Sequence, residues 1–170
     1  MKNYKILPRN MKAIHGNGMT YEMNVTYDVY GKIIPCKNGF HYCKKIKDLF
    51  KYYMTKDIRI FECEVDKEVS DDGIKYCTNK IRLTRELSKE EIDQYFVDNL
   101  EELKKDKCWE VRSAVAEQGY ALEELKNDRD WKVRIMVAHQ GYALDELKND
   151  EDFYVRGESL RQIKIRNEQQ

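Results

Sequence analysis

Residues 130–150, DWKVRIMVAHQGYALDELKND, nearly duplicate the preceding stretch, CWEVRSAVAEQGYALEELKND. Trp109, Trp131 and Phe153 fall in register at a spacing of 22 residues. So do Val111, Val133 and Val155; Arg112, Arg134 and Arg156; Asp106, Asp128 and Asp150; and Leu103, Leu125 and Leu147. A short unit repeated at fixed period cannot bury its own apolar face, so neighbouring copies must stack and share a core. This feature limits the C-terminal half to a stack of helical pairs with units starting near 103, 125 and 147.

Each repeated position has a physical task. An Asp before a helix satisfies orphan N–H groups and favours the positive end of the helix dipole. Val111, Ala114 and Val115, then Val133, Val137 and Ala138, make an apolar helical face. Gly119 and Gly141 suit the left-handed conformation that stops a helix, with Tyr120 and Tyr142 placed for the accompanying apolar contact. "ALEELKND" and "ALDELKND" predict a second, short helix. The third copy departs after Arg156, where Gly157 and Ser159 replace better helix formers. A weakened final helix is expected, and with it an exposed end that a second copy of the chain, as a homodimer, would cover.

Residues 1–87 follow a different pattern. "YKIL", "TYEM", "TYDVY", "GFHYC", "IRIFECEV" and "KIRLTREL" are rich in aromatic and β-branched residues and read as strands, separated by "HGNG", "YGK", "KNG" and "SDDG" turns. In "RIFECEV", Phe61, Cys63 and Val65 alternate with Ile60, Glu62 and Glu64. Ile46, Leu49, Phe50 and Tyr53 lie at the spacing of one amphipathic helix. Ser88 with Glu91 forms a capping box that opens a helix over 89–105, with Ile92, Tyr95, Phe96 and Leu100 inward. The expected architecture is α+β: a mixed, β-rich domain over 1–87 with one helix, then a helical repeat solenoid over 88–170.

Composition narrows the function. The chain has 31 basic and 31 acidic residues and no net charge. Neither a global nucleic-acid footprint nor an acidic DNA-mimic surface fits that balance. A local basic patch at "KNGFHYCKKIKDLFK" is the remaining route to nucleic acid. No run is apolar enough for a membrane span, and the N-terminus lacks the apolar core of a signal peptide, so a cytoplasmic protein is expected. The five cysteines contain no C-x-x-C pair, which predicts reduced, mostly buried thiols and no metal site. Cys36, Cys43 and His41 lie close in sequence, but their spacing matches no standard zinc pattern. P-loop, G-x-G-x-x-G, H-E-x-x-H and G-x-S-x-G motifs are absent from the sequence.

Three resemblances extend this reading. D-x-x-W-x-V-R-x-x-V-A followed by L-x-x-L-x-x-D, over residues 101–160, resembles the leucine-rich repeat variant units, short relatives of HEAT-type repeats. That resemblance implies an α-helix paired with a short 3₁₀-like helix. The cysteine cluster of the iron–sulphur segment found in some of those proteins is missing, so no cofactor is carried over. Over residues 1–90, Tyr4-Lys5, Tyr21-Glu22 with Tyr27, Gly39-Phe40-His41-Tyr42-Cys43 and Tyr52-Tyr53 resemble an uncharacterised domain of bacteriophage and prophage proteins. It implies a mobile-element origin, and by association a host protein complex as partner, such as a CRISPR nuclease. Finally, "GFHYCKKIKDLFKYY…FECEV" is similar in order to ADP-ribosyltransferases, with Ile14-His15-Gly16 in place of their His-Gly motif. That resemblance implies a nucleotide site at His15, His41 and Tyr42; Glu86 is only a positional counterpart of the family's catalytic Glu.

The primary expectation is a non-enzymatic protein-binding protein that inhibits a host defence complex and needs no cofactor. Its candidate anchors are Trp109, Tyr120, Trp131 and Tyr142, with Arg112 and Arg134 as candidate charged contacts. The Arg positions have a competing structural reading, bonds to an Asp of the neighbouring unit or to carbonyls. His41 would need an orienting carboxylate, Glu62 or Glu64, to act as a base.

Overall fold

The computed structural model describes residues 2–13, 18–52, 58–70 and 72–169. It is an α+β structure, with a seven-stranded antiparallel sheet in the N-terminal part and helices toward the C-terminus. Two compact units divide at Ile92 and Asp93.

The strands are β1 (Tyr4–Pro8), β2 (Thr26–Asp28), β3 (Phe40–Cys43), β4 (Ile58–Val65), β5 (Glu68–Ser70), β6 (Lys75–Thr78) and β7 (Lys80–Glu86). They lie in the order β2-β7-β4-β1-β3-β6-β5. β1 is the middle strand, with Lys5 opposite Phe61 and Ile6 opposite Ile60 on β4. Successive side chains point to opposite faces, and each face carries buried residues here. Leu7, Phe40, Tyr42, Phe61, Cys63, Ile81 and Leu83 share one core with Tyr21 from the β1–β2 connection. Ile6 and Ile60 are buried on the other face. Glu62 and Glu64, on that second face of β4, escape burial by pairing with Lys2, Arg85 and Arg82. A bulge falls between Glu62 and Cys63.

Several expectations need correction. β5 and β6 were not foreseen. They flank the "SDDG" turn, where Asp72 Oδ1 accepts the N–H groups of Ile74 and Lys75, an Asx-type turn that compensates for two short, polar strands. "TYEM" forms only isolated bridges, Thr20 to Lys12 and Met23 to Leu83. The amphipathic segment is a five-residue helix, α1 (Ile46–Phe50), with Ile46, Leu49 and Phe50 buried. Tyr53 and the Ile14-His15-Gly16 segment lie outside the described residues.

Helix α2 (Lys89–Leu103) starts at the expected capping box: the Glu91 N–H donates to Ser88 Oγ at 3.2 Å, and the Ser88 N–H donates to Glu91 Oε2 at 2.9 Å. It ends two residues before Lys105, with Phe96 and Leu103 buried. The following helices recur in register: α3 (Trp109–Glu117) with α5 (Trp131–His139), and α4 (Leu122–Leu125) with α6 (Leu144–Leu147). Gly119 and Gly141 adopt φ of +82° and +76°. The Tyr120 and Tyr142 N–H groups close back on Val115 and Val137 carbonyls, the hydrogen-bond pattern of a Schellman stop. Asp130 and Asp152 cap α5 and α7, whereas Cys108 at the same place before α3 makes no side-chain cap bond.

α7 (Phe153–Glu168) corrects the expectation of a weakened final helix. It continues without a break through Gly157 and is the longest helix among the described residues. Ile163 stands where the earlier copies have Gly119 and Gly141, so nothing stops the helix there. The short return helix of the earlier copies therefore has no counterpart in the third.

One local strain is repeated. Ala121 and Ala143, each entering a short helix, both adopt φ of +52°. A side chain there costs about 1 kcal/mol relative to Gly. Ala143→Gly is expected to raise stability by up to about 1 kcal/mol, read as a higher midpoint in urea with unchanged slope.

Candidate functional site

The repeated arginines are structural. Arg112 grips Asp128 through Nε and Nη2 at 2.6 and 2.8 Å, while its Nη1 donates to the Asp106 carbonyl at 2.7 Å. Arg134 repeats this with Asp150 at 2.8 and 2.9 Å and with the Asp128 carbonyl at 2.8 Å. Both guanidinium groups are buried. Burial pushes the Asp128 and Asp150 carboxyls up, but the arginine and backbone N–H bonds outweigh it and hold them below the usual carboxylate range. Arg112 and Arg134 are thus withdrawn as binding contacts, because their donors are consumed inside the fold. An open groove of about 430 Å³ beside Arg134, lined also by Lys126, Arg129 and Glu146, has this satisfied pair in its wall.

The aromatic candidates separate in the same way. Lys132 Nζ lies 4.1 Å from the Trp109 ring centre. Tyr154, the residue equivalent to Lys132 one copy later, stacks on Trp131 at 5.2 Å. Tyr120 stacks on Phe96 at 6.1 Å. These three anchors are half-buried and covered by their neighbours. Tyr142 is more open, and its hydroxyl donates to Glu123 at 2.8 Å.

The open surface is on α7, which sequence reasoning did not single out. Phe153 is 70 % exposed, Tyr154 60 % and Leu160 56 %. Phe153, Arg156, Gly157 and Leu160 stand at i, i+3, i+4 and i+7, one stripe of the helix. A Cβ built on Gly157 meets nothing within 4 Å, so the stripe is open at its middle. The available signal was Ile163 in place of the stop glycine, which leaves this face without a return segment.

Among the described residues, the N-terminal candidates His41 and Tyr42 do not share one face. His41 and Tyr42 are consecutive on β3 and so point to opposite faces. Tyr42 is buried, and its hydroxyl donates to Glu68; burial first, then that bond, pushes its phenol far above the usual range. His41 Nε2 accepts the Cys36 N–H at 3.1 Å. Glu62 and Glu64 are engaged by arginines, and Glu86 by Arg59 Nε at 2.7 Å. His15 lies outside the described residues. Within the basic stretch, Lys44 pairs with Glu68 and Lys51 with Asp48, which diminishes a local phosphate-binding patch.

Lys5 was not anticipated. It is buried in the same core as Tyr21, its Nζ donates to the His41 carbonyl at 2.8 Å, and burial lowers its ammonium to about 8. Cys43, Cys63 and Cys77 are buried free thiols, Cys108 is half-buried and Cys36 is exposed. Burial pushes Cys43 and Cys63 up to about 12, which makes them poor nucleophiles. Among the described residues, no three His, Cys, Asp or Glu side chains gather as a metal site, and no helix is long and apolar enough to cross a membrane.

A family model described as a domain of unknown function, DUF7666, matches residues 1–94. No curated protein and no solved structure matches the chain.

Proposed function

The chain belongs to the DUF7666 domain family, whose function is unknown, and from its own surface we propose that it is a non-enzymatic protein-binding protein. The observation that carries this reading is the stripe on α7 in which exposed Phe153, Gly157 and Leu160 surround a half-buried Arg156. An exposed aromatic and an aliphatic side chain flanking an arginine are the usual ingredients of an interface centre. In this reading the 22-residue copies form a short helical solenoid whose last member presents the docking face. The likeness of the N-terminal half to phage and prophage proteins favours a host protein complex, including a defence nuclease, as the target. Zero net charge suits a protein partner better than nucleic acid.

The ADP-ribosyltransferase-like alternative loses support from the opposite orientations of His41 and Tyr42 and from the burial of Tyr42. The test is a pull-down with tagged protein from bacterial lysate supplemented with NAD, with every captured chain weighed intact. A stoichiometric partner of unchanged mass, lost with Leu160→Asp while folding is retained, is the expected result. Added ADP-ribose mass on a captured protein, or on the bait, would overturn the reading.

A further inference from the structure

The arginine ladder is open at its last rung. In Arg112 and Arg134, Nη1 is tied to the carbonyl before the helix, and the Nε–Nη2 edge takes an aspartate with two parallel bonds. Arg156 keeps the first half of this arrangement, with Nη1 donating to the Asp150 and Glu151 carbonyls at 2.7 and 2.9 Å. Its Nε and Nη2 make no hydrogen bond among the described residues. The guanidinium is therefore held in orientation, and the edge that elsewhere binds a carboxylate is vacant. The aromatic ladder lacks its inter-copy cover at the same rung: Trp109 is covered by Lys132 and Trp131 by Tyr154, whereas Phe153 is 70 % exposed and meets neighbours on its own helix, the Arg156 guanidinium 6.0 Å from its ring centre and Tyr154 edge-on at 5.7 Å. α7 continues through Ile163 where the earlier copies turn back, so the described residues bring no return segment to this rung.

We propose that the Phe153–Arg156–Leu160 face is a preformed socket for an acidic protein segment, which presents one carboxylate to Arg156 and a cationic or aromatic side chain to Phe153. The proposal rests on the protein-binding reading and names the chemistry of the partner. Two internal interfaces serve as its templates. In each, the occupant is an Asp followed four residues later by the side chain that covers the ring: Asp128 with Lys132, and Asp150 with Tyr154. A planar guanidinium anchored through one nitrogen prefers a carboxylate, which matches the remaining two donors. Because Arg156 is already fixed by two carbonyls, little side-chain freedom is lost on binding. Gly157 lets the segment's backbone approach the helix between Arg156 and Leu160.

The test uses the full chain and a synthetic peptide with the sequence of residues 144–156, LDELKNDEDFYVR, titrated by fluorescence polarisation at low and physiological salt. Saturable binding is expected. Arg156→Gln in the protein, or Asn in place of the peptide's Asp150 carboxylate, should weaken it about tenfold or more, the loss of a charge-assisted bidentate bond. Leu160→Asp, on an exposed site that does not threaten folding, should weaken it as well. Binding that is absent at millimolar peptide, or unchanged in both protein variants, overturns the proposal. Equal competition by millimolar inorganic phosphate would make the face a general anion site and also overturn it. So would an Arg156-dependent dimer in sedimentation, since the occupant would then be a second copy. The outcomes separate from those of the broader reading. A lysate partner retained by Arg156→Gln sinks the socket alone, and Arg156-dependent peptide binding stands even where the pull-down captures nothing.

Discussion

Arg134→Met is expected to lower the free energy of unfolding by about 3–5 kcal/mol, the usual consequence of removing one partner from a buried ion pair. Asp150 would keep its charge at a site where its side chain is only 7 % exposed, and the Asp128 carbonyl would lose the Nη1 donor. The reverse balance holds for the pair as a unit. Arg134→Met with Asp150→Leu removes both charges, and the double variant should recover part of the loss, because burying the pair consumed much of its own attraction while the Asp152 N–H still loses its Asp150 acceptor. Urea denaturation with a two-state fit checks both, provided the slope is unchanged. A loss below about 1 kcal/mol for the single variant would show that water supports Asp150, as it does exposed pairs.

Gly39→Ala should cost about 3 kcal/mol by a different route. Gly39 has φ of +135°, a conformation that strains any residue with a side chain. An added Cβ would also stand 2.4 Å from Cys77 Sγ and 2.9 Å from the Thr78 carbonyl oxygen. The carbonyl belongs to the β3–β6 pairing and cannot withdraw without opening it. Combining the change with Cys77→Ala should restore only part of the loss, since the backbone clash and the strain remain. Full restoration would assign the cost to the sulfur alone. Thermal unfolding followed in the far ultraviolet separates these cases.

How legible all this was depended on how local the determining interactions are. The capping box at Ser88 and Glu91 and the stops at Gly119 and Gly141 could be read directly, because each is closed by residues within a few positions. β5 and β6 escaped notice because Glu68–Ser70 and Lys75–Thr78 carry little apolar alternation. They are held by pairing with each other and with β3, a strand more than thirty residues away from Thr78. The assignment of Trp109 and Trp131 as anchors did not anticipate Lys132 and Tyr154, since covering a ring is a relation between copies. The open edge of Arg156 accompanies the missing stop at Ile163, and an alignment that rewards matching positions passes over it.

The position of β1 has a consequence for the order in which the chain acquires structure. β1 leaves the ribosome before the other strands of its sheet and becomes their middle, and its long partner β4, with Glu62 opposite Tyr4, is made only after more than fifty further residues. Closing so wide a loop is slow, whereas the helical copies join through partners 16 to 23 positions apart. During synthesis Ile6 and Leu7 therefore wait without their strand neighbour. Lys2, Lys5 and Arg9 accompany them, flanking charges of the kind that oppose aggregation of an unpaired apolar strand.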